Sequence, residues 1–208
     1  MKLLHIDSSI LSEASASREL SAAIVTALTR AMPNLEIVRR DLDADPIPHL
    51  DSRLLAAVRP EIAAGPATDT DDKGAAALEE FLGADIVVIG APMYNFTIPS
   101  QLKAWLDRIL IAGKTFRYDE TGAKGLAGGK KVIVASSRGG LYAPGMPQQA
   151  NDFHEPYLRA ILGFIGIDDI AFIRAEGLAY GPEPREKAMR AALASVASLV
   201  AGLSARAA

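Results

Sequence analysis

Hydrophobic residues along this chain fall into two alternating rhythms. Short runs rich in β-branched residues, at Leu3–Asp7, Leu35–Asp41, Ala84–Gly90, Lys131–Ser136 and Asp169–Ala175, are separated by longer stretches with helical spacing. That alternation predicts an α/β fold built on a mainly parallel sheet. Ser17–Ala31 sets Leu20, Ile24 and Leu28 four residues apart, and Gln101–Ile111 puts Leu102, Trp105, Leu106 and Ile109 on one face. Both read as amphipathic crossover helices. Pro184 to about Ala205 is alanine-rich, with Met189, Leu193, Val196 and Val200 spaced to pack on the sheet. No internal repeat or linker interrupts the pattern, so a single domain over residues 1–208 is expected. Two connections are longer than a compact five-stranded domain needs, one from Leu42 to about Thr70 with four prolines and one from Gly113 to Gly129. Such insertions serve as lids, subunit contacts or ordered loops.

Composition narrows the chemistry. Half of the 208 residues are hydrophobic, enough for one large core, and 22 basic against 25 acidic residues give a formal charge of −3. There is no global basic field for nucleic acid. With no cysteine, thiolate catalysis, disulfides and cysteine-ligated metals are excluded. His5, His49 and His154 fall in different elements without metal-site spacing, and His5 reads as a packed core residue. Asp41, Asp43 and Asp45 read as solvated, turn-forming charge. The chain opens on a strand-like run rather than a signal peptide or membrane span, so a cytoplasmic protein is expected.

Three loops at strand ends carry the candidate chemistry. The first, Asp7 to Arg18, holds Ser8, Ser9, Ser12, Ser15 and Ser17 ahead of a helix. Hydroxyls and free N–H groups at a helix N-terminus form a phosphate cradle, although one serine could simply cap the helix. No glycine-rich dinucleotide or Walker pattern occurs, which favours a mononucleotide phosphate. The second loop, between Pro92 and Pro99, displays Tyr94, Asn95 and Phe96. Asn95 offers a donor and an acceptor to a heteroaromatic edge, while Tyr94 and Phe96 either pack on a ring or anchor the loop. The third, Ser136 to Tyr142, contains Gly139-Gly140, a pair that lets backbone approach a ligand closely or forms an ordinary turn. All three fall at the carboxyl edge of the expected sheet, where open α/β folds bind ligands.

Taken together, these motifs resemble the bacterial FMN-dependent NADH azoreductases, also called FMN-dependent NADH:quinone oxidoreductases. The resemblance rests on Ser8-Ser9 with Ser15-Ala16-Ser17, on Ala91 to Phe96 running into Gln101-Leu102-Lys103, and on Gly113 to Tyr118. Ser137-Arg138-Gly139-Gly140, Phe164 to Ile167 and Glu176-Gly177 complete it, so it covers nearly the whole chain. It implies a flavodoxin-like five-stranded parallel sheet in the order 2-1-3-4-5 with helices on both faces. It implies a homodimer with one FMN per subunit at the interface. Ser9, Ser15, Ala16 and Ser17 would hold the phosphate end, Met93, Tyr94, Asn95 and Phe96 would line the isoalloxazine, and Ser137, Arg138, Gly139 and Gly140 would contact its other edge. Phe116 matches an aromatic on the substrate side of the pocket, with Tyr118 beside it as a further candidate.

The expected activity is two-electron, ping-pong transfer from NAD(P)H, preferably NADH, to quinones and aromatic azo compounds, with the chemistry on the flavin. Arg59, in the first long connection, is a candidate partner for a pyridine-nucleotide phosphate or an anionic dye. A flavodoxin-type electron carrier, an NAD(P)H:FMN reductase and a flavin-free binding module are the competing readings.

Overall fold

A computed structural model describes residues 1–51 and 71–207. Five strands, β1 (Lys2–Asp7), β2 (Glu36–Asp41), β3 (Ile86–Pro92), β6 (Lys131–Ser137) and β7 (Ile170–Ala175), form one sheet in the order β2-β1-β3-β6-β7. Every pairing in it is parallel. Counting only the strands of this sheet, that is the expected order 2-1-3-4-5. The central strands β1, β3 and β6 are buried on both sides, which is why they read as near-continuous apolar runs, while the edge strands β2 and β7 are only partly covered.

Pleating sends alternate residues to two cores. Leu4, Ile6, Val87, Ile89, Val132 and Val134 face α2 (Asp71–Gly83), α3 (Ser100–Ile109) and α4 (Glu155–Phe164). The Phe81 and Trp105 rings meet edge to face there, 5.7 Å between centroids. Leu3, Ile86, Val88, Ile133 and Ala135 face α1 (Ala16–Ala31) and α5 (Pro182–Ala207). The three helices expected from periodicity are α1, α3 and α5.

The connection expected as a long loop after Gly113 is instead a hairpin, β4 (Phe116–Asp119) and β5 (Gly122–Gly125), paired antiparallel. Its turn is closed by Asp119, whose Oδ1 accepts the Thr121 N–H at 2.9 Å and the Thr121 hydroxyl at 2.6 Å. Thr115 Oγ1 donates to the Ile109 carbonyl at 2.7 Å, so the hairpin joins α3 at the end away from Ser100.

Candidate functional site

β1 ends at Asp7, and the next residues are fixed to β3. Ser8 donates to the Gly90 carbonyl from its backbone N–H at 3.2 Å and from Oγ at 2.7 Å. Ser9 is tied down from two sides. Its carbonyl accepts from Arg18 Nε and Nη2 at 3.2 and 2.8 Å, and its Oγ lies 3.0 Å from the Tyr94 hydroxyl. The far side of the Arg18 guanidinium grips Asp41 at 2.6 and 2.7 Å. Asp41 forms the expected turn, its Oδ1 accepting the N–H groups of Asp43 and Ala44 at 3.0 and 3.3 Å. It is also the clamp for Arg18, whose hydrogen bond does most to hold the carboxyl down at about 2.

Ser15 caps α1 in the extended region, its Oγ accepting the Arg18 N–H at 3.3 Å and lying 3.1 Å from Ser17 Oγ. Both serines are buried, and among the described residues the N–H groups of Ala16 and Ser17 have no acceptor. These donors, two hydroxyls and the positive end of a 16-residue helix make a setting suited to an anion.

The loop after β3 is held by Met93, whose N–H donates to the Ser137 carbonyl at 2.8 Å. Tyr94 and Thr97 then exchange backbone hydrogen bonds of 2.9 and 3.1 Å around Asn95 and Phe96, which have φ of 48° and 72°. Two left-handed central residues define a type I′ turn. Asparagine tolerates that region, whereas phenylalanine there costs about 1–2 kcal/mol. The Phe96 ring is 46% exposed, so core packing does not explain its choice. Phe96→Gly would give the Asn-Gly pair this turn prefers and is expected to raise the stability of the ligand-free protein by about 1 kcal/mol, read from urea unfolding. A clear loss of stability would show that the ring serves the fold.

The third loop starts from buried Ser136, Ser137 and Arg138. The carbonyls of Arg138, Gly139 and Gly140 accept the N–H groups of Leu178, Ala179 and Gly177 at 3.2, 3.1 and 2.9 Å. Among the described residues the N–H groups of Gly139 and Gly140 have no acceptor. The Arg138 guanidinium turns away into a set of carboxylates, leaving only its backbone for a ligand.

These loops enclose a cleft of about 200 Å³. It brings together Ser9, Ser15, Ala16, Met93, Tyr94, Ser137, Arg138 and Gly139 from the expected site. Ser17 lies behind Ser15, Asn95 lines an adjoining hollow of about 500 Å³ with Tyr94, and Phe96 and Gly140 both abut Tyr142. Leu178, Ala179 and Arg185 also line the cleft. They follow β7, so the rule that placed the other loops at this edge could have found them. A wider hollow of about 560 Å³ at the opposite edge is lined by lysines already engaged, Lys130 to the Leu82 and Ala84 carbonyls and Lys131 to Asp169.

The family model described as flavodoxin-like fold matches residues 1–200. The chain belongs to this family. FMN-dependent NADH:quinone oxidoreductase 1 of Xanthomonas axonopodis pv. citri is 56% identical over 196 residues, 94% of this chain and 95% of that protein. FMN-dependent NADH:quinone oxidoreductase 2 of Bradyrhizobium diazoefficiens is 57% identical over 201 residues, 97% of this chain and all of that one. Among solved structures, an FMN-dependent NADH-azoreductase from Bacillus anthracis in complex with FMN superposes with a TM-score of 0.86 at 27% identity, covering 98% of this chain and 99% of the other.

In this flavodoxin-like protein Phe116 and Tyr118 are not brought to the cleft. Phe116 is buried on the hairpin, its ring 4.8 Å from that of Phe164, and Tyr118 is exposed beside it. Arg59 lies outside the described residues.

Behind the second and third loops sits His154, wholly buried, its ring nitrogens without a well-formed hydrogen bond among the described residues. Burial, then the charge of Arg138, pushes its pKa from 6.5 down to about 4 against the smaller opposing pulls of Asp152 and the Ala91 carbonyl. A depressed folded pKa means that the stability held by the neutral ring is complete above 6.5 and is lost as pH falls toward 4. That is on the order of 3 kcal/mol. Asp41 acts only lower, between its usual 3.8 and about 2. The melting temperature is therefore expected to drop between pH 6.5 and 4 in the native chain, and His154→Gln to flatten that slope. An unchanged slope would locate the acid sensitivity elsewhere.

Proposed function

We propose that this protein is an FMN-dependent oxidoreductase carrying two electrons from NADH to quinones and aromatic azo compounds. The observation that supports it most is the set of N–H donors without an acceptor among the described residues on two of the three loops around one cleft, at Ala16 and Ser17 for a phosphate and at Gly139 and Gly140 for ring carbonyls. The named activity of relatives 56 and 57% identical along nearly their full length points the same way.

Bound FMN supplies a two-electron carrier that accepts hydride from NADH and delivers electrons to the acceptor. Ser9, Ser15, Ala16 and Ser17 hold the phosphate, with Arg18 and Asp41 fixing the peptide of Ser9. Met93 to Phe96 orient the ring and shield it from bulk water, and Asn95 supplies an amide to its edge. The Gly139 and Gly140 N–H groups would supply donors to stabilise the negative charge of a reduced ring, and Ser137 and the Arg138 backbone would complete that wall. Exchange of NADH for acceptor at one site gives ping-pong kinetics. In this reading the chain is one FMN-binding domain of a homodimer, and Phe116, Tyr118 and Arg59 are candidates for the substrate side. Among the described residues no helix is long and apolar enough to cross a membrane.

Purified protein is expected to be yellow, to be bleached by NADH without oxygen, and to recover colour on addition of a quinone. A colourless protein unable to take up FMN overturns the reading. Slow NADH oxidation with quinone as sole acceptor would instead indicate an electron carrier.

A further inference from the structure

Arg138 stands at the root of the Gly139-Gly140 turn, its side chain 1% exposed. Three segments send carboxylates to it. Asp152 precedes α4 and lies 3.1 Å away, Glu155 belongs to α4, and Glu176 follows β7 at 3.2 Å. Burying a guanidinium costs several kcal/mol of desolvation, and an apolar side chain of similar volume would support the fold as well or better. An ion pair differs from an apolar contact in having direction.

Two of the carboxylates also grip the neighbouring loops. Glu176 Oε1 accepts the Tyr142 N–H at 2.9 Å, and the Tyr142 ring meets that of Phe96 at 6.5 Å while packing against Gly140. Asp152 Oδ1 accepts the N–H groups of His154 and Glu155 at 3.0 and 3.2 Å. Between them Phe153 donates its N–H to the Phe96 carbonyl at 3.1 Å, and its own carbonyl accepts from Thr97 Oγ1 at 3.3 Å. The glycine turn and the strained Asn95-Phe96 turn are thus fastened to one guanidinium.

We propose that Asp152 and Glu176 are positioning residues which, through Arg138, hold the Gly139-Gly140 turn in register with the Tyr94–Thr97 turn and so set the relative affinity for oxidised and reduced FMN. The inference rests on the FMN reading above. Neither carboxylate needs to touch the cofactor. Neutralising either one loosens the register and leaves more of the Arg138 charge uncompensated near the ring, which favours the reduced form.

The test uses Asp152→Asn and Glu176→Gln, which keep shape and an acceptor oxygen, against Ser17→Ala, which alters only the phosphate end. Both amide variants are expected to bind oxidised FMN at least about tenfold more weakly and to shift the oxidised-to-reduced affinity ratio about tenfold, a rise of about 30 mV in two-electron midpoint potential. Ser17→Ala is expected to weaken both forms alike, leaving the potential in place. In the FMN-free protein, the amide resonances of both Gly139-Gly140 and Asn95-Phe96 should move in each amide variant. A ratio within twofold of the native value in both variants, with those resonances unmoved, overturns the proposal. So does failure of both to fold, which would make the cluster a general stability element. If the native chain takes up no FMN, the functional reading fails, and the resonances alone decide whether the two turns are coupled.

Discussion

Ser15→Asp is expected to abolish FMN binding without unfolding the protein. Aspartate caps a helix as well as serine, so the hydrogen bond to the Arg18 N–H is retained, and a carboxylate at the positive end of α1 is favourable in itself. The same carboxylate would enter the cleft that Ser15 lines, where the proposed phosphate would sit. Two unit charges about 4 Å apart repel by about 4 kcal/mol at an effective dielectric of about 20, so affinity should fall by a thousandfold or more. Ser15→Asn, which caps without charge, should lose far less. Fluorescence titration with FMN, beside thermal melts of the ligand-free proteins, checks both halves. An aspartate variant binding within tenfold of the native chain would place the phosphate elsewhere.

Gly125→Ala is expected to cost about 3 kcal/mol or more, since the added methyl has nowhere to go. A Cβ on Gly125 would lie 2.2 Å from the Gly166 nitrogen and the Ile165 carbonyl carbon. Both are backbone atoms, and Gly166 itself sits at φ 92°. Relief would require the hairpin to lift away from the end of α4, breaking the bond from the Ala127 N–H to the Ile165 carbonyl, 2.9 Å long. For a chain of this size the melting temperature should fall by roughly 6–12 °C. The hairpin meets α3 at the end away from the cleft, so the folded fraction should still bind FMN normally. Stability equal to the native chain would mean that the two backbones are not in contact.

What could be read without coordinates depended on how strongly burial constrains a segment. The central strands β1, β3 and β6 announced themselves because both faces are covered, the partly buried edge strands β2 and β7 by their β-branched residues, and α1, α3 and α5 by their apolar stripes. Helix α2 carries Gly74, which weakens its helical signal; a Cβ there would lie 2.2 Å from Arg108 Nη2, so the glycine serves a close helix contact invisible in one dimension. Helix α4 went unread, with Pro156 in its first turn, although Leu158, Ile161 and Leu162 carry helical spacing. In β4 Phe116 alone is buried, too little for a period of two to register.

The cleft followed the same logic. Residue types at three strand ends were enough to bring eight of the twelve expected cofactor residues together. Long-range partners were not legible. Nothing near Asp41 in sequence announces Arg18, and nothing near Arg138 announces that its guanidinium would turn from the ligand toward Glu176.

The walls of the cleft also differ in when they can exist. The serine cradle belongs to the first 17 residues, but the opposite wall needs β6, which pairs with β7, and the loop after it, whose carbonyls are held by the N–H groups of residues 177–179. A nascent chain leaving the ribosome therefore exposes half a binding site for most of its synthesis. Ligand capture is an event of the finished chain, and a shortage of cofactor should lower occupancy without stalling assembly of the early sheet.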